Sequence, residues 1–142
     1  MVVKSPPTYA TGNFTKARPA GAAVGTSETA VGNIVAYDIT TGKMVTSFVH
    51  SLNAQGKALA ASPDGSRIYV GGDFTKVDGV AYSHIAAFKT ATGALDSTFS
   101  PTVGPVTSLA VSASLVYVGG SFGSAGGTTR SNLAAFLVSG AL

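Results

Sequence analysis

The 142-residue chain contains no cysteine, few charged residues and no long apolar run, and each absence excludes a class of protein. Without cysteine the chain has neither a disulfide framework nor a thiolate metal site. No apolar stretch approaches the roughly 18 residues that a membrane-spanning helix needs, so no membrane insertion is expected. No stretch shows the period of an amphipathic helix either. The remaining possibilities are dominated by β structure.

Charge is sparse and evenly spread. Only 11% of the residues are charged, and the formal net charge is +3. The nine basic residues are scattered singly, without the run or stripe that marks a nucleic-acid surface, so we expect no nucleic-acid partner. The 18 glycines and the 45% hydrophobic content are typical of tightly turned β structure, and the length suits one domain with its own core.

The chain is internally repetitive. In three segments a tyrosine begins a short run that ends in glycine and phenylalanine: TYATGNF from Thr8, RIYVGGDF from Arg67 and LVYVGGSF from Leu115. A second set reads NIVAY from Asn33, HIAAF from His84 and NLAAF from Asn132, with aromatic ends 51 and then 48 residues apart. The repeat is therefore about 48 to 51 residues long, and nine extra residues separate the two segments of the first copy.

This period divides residues 1–142 into unit 1 (1–50), unit 2 (51–101) and unit 3 (102–142). Four short antiparallel strands are expected in each unit. In unit 2 they run from Gly56 to Ser62, Arg67 to Phe74, His84 to Thr90 and Ala94 to Phe99. We expect the first strand of unit 1 to be truncated at Met1 and the last strand of unit 3 to be truncated at Leu142. Residues 15–32 are predicted to be a long surface loop.

Four short strands in a unit of this length, joined by tight turns, are the pattern of a β-propeller blade. Small residues such as Ala58, Ala60 and Ala61 would let the inner strands converge. The repeated phenylalanines and tyrosines would fill the space between neighbouring blades. We therefore predict an all-β, propeller-like fold of three four-stranded antiparallel blades.

Unit 2 carries GGDFT from Gly71, VDG from Val77, IAAF from Ile85 and GALDSTF from Gly93. These motifs resemble the delta-60 type bacterial β-propeller repeat, and the resemblance covers nearly the whole chain. It implies secreted or surface proteins of bacteria, often actinobacterial and sometimes phage-borne. It implies an extracellular location, on a bacterial surface or a virion, and it brings no catalytic residues.

Three blades are fewer than the four to eight of a closed ring. Such a chain would expose the apolar faces of both terminal blades, which soluble monomers seldom tolerate. We therefore expect a homo-oligomer whose association completes the ring. A dimer that forms a six-bladed ring is favoured, and membership of a larger assembly is the alternative.

Few residues suggest chemistry. The segment GGSFG from Gly119 matches the G-x-S-x-G pattern of serine hydrolases, but no histidine follows Ser121 and no helix is predicted there. Neither His50 nor His84 has a second metal ligand at suitable spacing. Asp73 and Asp78 could help to hold calcium, although the third unit lacks carboxylates at both positions.

Three further features have structural interpretations. Tyr82 and Arg130 precede the third strands of their units, where packing or loop anchoring is expected. Asn13 begins a formal glycosylation sequence at a strand end. The loop Lys16 to Val31 is the predicted contact surface, and its inserted residues are expected to be dispensable for folding.

We predict no catalytic, cofactor-binding or metal-binding residues and no cofactor. The function predicted from the sequence is a non-catalytic structural or binding module that self-associates, with a protein or a carbohydrate as a possible ligand. One alternative is a fragment of a carbohydrate-active or quinoprotein-type propeller enzyme. Another is a structural component of a virion or surface appendage.

Overall fold

The computed structural model describes residues 7–142, and this range contains strands, turns and irregular segments without a helix. The prediction of an all-β chain is confirmed. The truncated strand predicted at Met1 lies outside the described residues.

Within residues 7–142 each unit has five strands, and three of those in unit 1 and two of those in units 2 and 3 are only two residues long. Those of unit 1 are β1 (Thr8–Thr11), β2 (Lys16–Ala17), β3 (Thr29–Ala30), β4 (Ile34–Asp38) and β5 (Lys43–Met44). Those of unit 2 are β6 (Gly56–Ala61), β7 (Arg67–Gly72), β8 (Lys76–Val77), β9 (Val80–Ala81) and β10 (Ile85–Lys89). Those of unit 3 are β11 (Val106–Val111), β12 (Leu115–Gly120), β13 (Ser124–Ala125), β14 (Thr128–Thr129) and β15 (Leu133–Leu137).

Within the described residues each main sheet has three strands, and the prediction of four is wrong for unit 2. The first strand predicted for unit 1 lies outside the described residues, and a truncated last strand was predicted for unit 3. The strand orders of the main sheets are β1-β4-β5, β10-β7-β6 and β11-β12-β15, all antiparallel. The fourth strand of unit 2 is reduced to one bridge, between Phe88 and Leu95. The chain turns immediately afterwards because the amide of Phe99 donates to the carbonyl of Asp96 and the Asp96 carboxylate accepts from Thr98. This turn directs the Phe99 ring into the core.

In every unit a small hairpin connects the strand that contains the repeated tyrosine to the next main strand, although the sequence analysis predicted a surface loop at this place in unit 1. The hairpins are β2-β3, β8-β9 and β13-β14. The two-residue turns 78–79 and 126–127 have positive φ at both positions, as type I′ turns require. In unit 1 the same turn spans residues 18–28, so the nine extra residues lie wholly within it. Residues 15–32 are therefore a hairpin with a long turn and not a simple loop.

The sheet of unit 2 is buried on both faces. On one face Ile68, Val70 and Phe88 pack with residues of unit 1, including Ile34 and Phe48. On the other face Tyr69, Ile85 and Ala87 pack with residues of unit 3, including Val116, Val118 and Phe136. The predicted packing of aromatic side chains between neighbouring units is confirmed here, because Tyr69, Phe74, Phe88 and Phe136 are fully buried.

Neighbouring units approach most closely where a glycine faces a larger side chain. A β-carbon on Gly56 would overlap the hydroxyl of Thr11, and one on Gly71 would overlap the side chain of Val106. In these two equivalent contacts the glycine lies in the later unit at the first junction and in the earlier unit at the second. The inner strands converge as predicted, with Ala58 and Ala60 half-buried between them, while Ala61 is exposed.

One repeated position has left-handed backbone geometry in all three units. Asn33, His84 and Asn132 have φ values of 64°, 65° and 65°, a conformation that asparagine tolerates well. The Asn33 side chain accepts a hydrogen bond from the amide of Phe14 at 3.0 Å, and Asn132 accepts the equivalent bond from Phe122 at 3.3 Å. The buried Nδ1 of His84 has no partner among residues 7–142. This left-handed residue directly precedes β4, β10 and β15 and so marks the start of the equivalent strand in each unit.

Candidate interaction surface

Unit 3 exposes an apolar sheet face, which we call the open face. Strand pairing places Leu115 opposite Leu137, Tyr117 opposite Ala135, and Gly119 opposite Leu133. Ser108 and Ala110 of β11 complete the same face because they pair with Gly119 and Tyr117. Leu133, Leu137 and Tyr117 are 67%, 45% and 43% exposed. The open face is therefore a continuous surface of largely apolar side chains.

The centre of the equivalent face of unit 2 is covered, whereas Arg67 and Lys89 at one end of it are not fully buried. Tyr69 and Ile85 occupy the positions of Tyr117 and Leu133, and both are 0% exposed. Phe99 meets Tyr69 edge to face, with the ring centroids 5.0 Å apart, and Phe48 meets Tyr9 in the same way at 5.1 Å. The cover over Tyr69 is supplied by the sheet of unit 3. A β-sheet face is thus the type of surface that fits the open face.

The open face is also more apolar than its buried counterpart. In unit 2 the pair at one end of this face is Arg67 and Lys89, whereas in unit 3 it is Leu115 and Leu137. Leucines in place of the charged pair would not stabilise a face that contacts only water. Apolar patches of this kind mark interaction sites on soluble proteins.

The sequence predicted that the outer faces of both unit 1 and unit 3 would be exposed, but the outer face of unit 1 is partly covered. Val35 points to the outer side of unit 1, as Ala86 does in unit 2, yet it is only 6% exposed. The hydroxyl of Tyr37 on the same side donates to the carbonyl of Arg18 at 2.9 Å. The amide of Ala20 donates to the carbonyl of Gly42 at 2.9 Å. The β2-β3 hairpin and its long turn therefore cover part of this face.

A cleft of about 380 Å³ lies between units 2 and 3 and is lined by Asp64, Arg67, Tyr69 and Val138, among others. Arg67 crosses it, forming an ion pair with Asp96 at 2.9 Å and donating to the carbonyl of Val138 at 2.9 Å. Burial would raise the pKa of the Asp96 carboxyl, but two hydrogen bonds from Thr98 and the charge of Arg67 lower it below its ordinary value. The hydrogen bond from Arg67 to Val138 joins the two units, and the ion pair with Asp96 holds the Arg67 side chain in place.

His50 occupies a second junction, between units 1 and 2. Its Nδ1 lies 2.6 Å from a carboxylate oxygen of Asp78, and its Nε2 lies 2.6 Å from the carbonyl of Gly93. The ring packs between Phe48 and Phe88, with centroid distances of 4.8 and 4.6 Å. Both ring nitrogens of His50 and the ring itself therefore contact other residues of the fold.

The two candidate calcium ligands have separate partners. Asp73 forms an ion pair with Lys57 at 2.8 Å. Asp78 accepts a hydrogen bond from the amide of Ser51 at 2.7 Å in addition to its contact with His50. Residues 7–142 contain no group of three or more histidine or acidic side chains that could hold a metal ion.

The other candidates also occupy structural positions. Ser121 is exposed, and its amide donates to the carbonyl of Pro105 at 2.9 Å. Tyr82 is buried in the core between units 1 and 2, in agreement with the packing role predicted for it. Arg130 is exposed beyond β14, and Asn13 is exposed after β1. The sequence analysis singled out none of the residues of the open face, although an alignment of Leu115 with Arg67 would have indicated it.

Comparison with known families supports the architecture. The family described as "Domain of unknown function (DUF5122) beta-propeller" matches residues 63–99, which is about a quarter of the chain. The matched segment is similar to a propeller repeat. It runs from the turn before β7 to Phe99 and so includes β7 and β10, two of the three strands of the doubly buried sheet. No curated protein and no solved structure matches the chain. Within the described range, no helix is long and apolar enough to cross a membrane.

Proposed function

We propose that this propeller-type chain is a non-catalytic structural module that associates with further copies of itself through the open face. The observation that carries the proposal is the contrast between Leu133, which is 67% exposed, and its equivalent Ile85, which is fully buried by the next unit. The titratable side chains that could act in catalysis or metal binding support a structural role, because each contacts a partner within the fold. They are His50, Asp73, Asp78 and Asp96.

The energetics are consistent with a reversible complex. Burying a large apolar side chain contributes roughly 1.5 to 3 kcal/mol. The open face offers several such side chains, including Tyr117, Leu133 and Leu137. Association costs on the order of 4 to 15 kcal/mol in lost rigid-body freedom, so the surplus is small. We expect an oligomer that dissociates on dilution.

The test is the absolute mass in solution, measured by light scattering on a sizing column over a dilution series. The proposal predicts a mass above that of one chain at high concentration and a return to the monomer on dilution. Leu133→Asp should abolish association while leaving the circular dichroism spectrum unchanged, because the side chain is exposed in the single chain. Val80→Asp is the matched control, since Val80 is 60% exposed and lies outside the open face.

A wild-type chain that stays monomeric at every concentration would overturn self-association. A mass that falls equally in Leu133→Asp and Val80→Asp would show that a different surface is responsible. The extracellular location implied by the family resemblance remains a separate proposal. Fractionation of the source bacterium tests it directly.

A further inference from the structure

We propose that two copies associate open face to open face about a twofold axis, and that unit 1 takes no part in the interface. The inference rests on the proposed function, because it names the partner surface for the same site. It differs from closure of a six-bladed ring, in which unit 3 of one copy would pack on unit 1 of the other. The distinction follows from the chemistry of the two ends.

The outer face of unit 1 lacks the apolar side chains that cover a preceding unit. In β7 the residues on this side are Ile68 and Val70, and both are buried. In β12 they are Val116 and Val118, which are also buried. In β1 the residues at these positions are Thr8 and Ala10, and both are exposed. This substitution replaces bulky packing groups by a hydroxyl and a methyl.

The long turn of the β2-β3 hairpin also places charges at this end. Lys16 and Glu28 form an ion pair at 3.0 Å. They line the same shallow groove as Tyr37 and Arg18. An apolar sheet docked here would remove charged groups from water without offering them new partners, which is costly. These charges make the outer face of unit 1 a poor partner for an apolar sheet.

The open face has the opposite character. It contains no ionisable group except the tyrosine hydroxyl of Tyr117, and leucines occupy the positions of Arg67 and Lys89. At a twofold axis each side chain meets the same surface of its partner, so a charged face would repel itself. A neutral apolar face meets its own copy without that penalty. A second copy is thus a suitable occupant.

The size of the face predicts a weak dimer. The three strands of the sheet are five or six residues long. With strands about 4.8 Å apart and a rise of about 3.3 Å per residue, such a sheet presents only a few hundred Å² to each partner. Stable interfaces bury about 800 Å² per partner. We therefore expect dissociation in the micromolar range or above.

Because the chain has no cysteine, single-cysteine variants can locate the interface without background. Ala110 and Leu133 lie on the two edge strands of the open face and are exposed. Ala10 is exposed on the outer face of unit 1. Each variant, Ala110→Cys, Leu133→Cys and Ala10→Cys, is treated with a short bis-maleimide at a concentration where the wild type is oligomeric. Reaction with a monofunctional maleimide checks that all three thiols are accessible.

The twofold arrangement predicts covalent dimers for Ala110→Cys or Leu133→Cys alone, and none above background for Ala10→Cys. Val24→Cys, on an 82% exposed position of the long turn, sets the background of random collisions. Cross-linking only in an equal mixture of Ala10→Cys and Ala110→Cys would overturn the twofold arrangement in favour of ring closure, while self-association would stand. A monomeric wild type at all concentrations would overturn self-association itself, so the two failures are distinguishable.

Discussion

The imidazole Nδ1 of His50 lies 2.6 Å from the Oδ2 of Asp78, and this contact joins the last residue of unit 1 to the β8-β9 turn of unit 2. The histidine side chain is 11% exposed and the aspartate side chain 38% exposed. Hydrogen bonds to charged groups contribute about 1.5 to 3 kcal/mol when they are shielded from water. This contact is therefore expected to stabilise the junction of the first two units.

A double-mutant cycle measures that coupling. Asp78→Asn keeps a residue that tolerates the left-handed φ of 51° at this position, and it removes the charge. We expect His50→Gln and Asp78→Asn each to lower the free energy of unfolding in urea by about 1 to 2 kcal/mol. The double variant should lose clearly less than the sum. Strict additivity would show that the two side chains do not stabilise each other.

The buried Asp96 makes stability depend on pH. Its pKa is lowered in the folded protein, because the hydrogen bonds of Thr98 and the charge of Arg67 outweigh the effect of burial. Its contribution is therefore complete above the ordinary aspartate pKa of about 4 and is lost as the pH falls through the lower folded value. Urea unfolding at a series of pH values should show stability rising with pH in this acidic range.

Thr98→Val removes the hydrogen bond from the hydroxyl and should flatten the acidic dependence. Ser97→Ala is the matched control on the neighbouring residue. An identical acidic slope in the wild type and in Thr98→Val would contradict the assignment to Asp96.

His84 offers a stabilising substitution. Its buried Nδ1 has no partner within residues 7–142, whereas Asn33 at the equivalent position accepts a hydrogen bond from the amide of Phe14. His84→Asn should gain the equivalent bond from the amide of Phe74 and raise the free energy of unfolding by about 1 kcal/mol. Thermal and urea unfolding measure the change. His84→Ala is the control, and it should destabilise because alanine tolerates the positive φ poorly.

Gly71 is predicted to accept no side chain. A β-carbon there would lie 2.9 Å from the Cβ of Val106 and closer still to its Cγ1. Gly71→Ala should therefore lower the free energy of unfolding by about 1 to 3 kcal/mol. Gly123→Ala is the matched control, since a β-carbon there would meet no atom of the described chain within 4 Å and its φ is not positive. Val106→Ala removes the overlap with Cγ1 but keeps the Cβ, so Gly71→Ala should cost less in that background than in the wild type. An equal cost in both backgrounds would argue against this steric cause.

The long turn of unit 1 can be replaced. Exchanging residues 18–28 for Asp-Gly copies the turn 78–79 and removes the nine extra residues. We expect the variant to fold, at a loss of about 1 kcal/mol, because the Tyr37 hydroxyl loses its acceptor. Tyr37→Phe in the full chain is the control for that single bond. Failure of the shortened chain to fold would show that the turn is needed for the structure of unit 1.

The sequence predicted the repeated features well. Strands β7 and β10 were expected because the same motifs recur with a fixed period, and repetition carries more information than any one segment. The burial of Tyr69 and Phe88 between units followed from the same argument. The hairpin at Asp78 and Gly79 was missed although Asp-Gly is a strong turn signal, because its strands are only two residues long.

Other features depend on contacts that no local pattern records. The fourth strand of unit 2 was predicted from Ala94 to Phe99, but the side-chain and backbone bonds of Asp96 turn the chain inward after Leu95. The cover over Val35 comes from a turn of small and polar residues, whose sequence does not indicate where it packs. The asymmetry between the two ends of the molecule therefore required the three-dimensional structure.

The alternation of Gly56 against Thr11 and Gly71 against Val106 has a consequence for folding fidelity. Chains of similar repeats risk pairing the wrong neighbours while they fold. If unit 3 docked directly on unit 1, Val106 would meet Thr11, and two branched side chains would compete for the space that each junction reserves for one. This steric clash would destabilise a misfolded chain in which unit 3 packs directly on unit 1 and unit 2 is left out. The sizes of the residues at these four positions thus favour the observed order of the repeats.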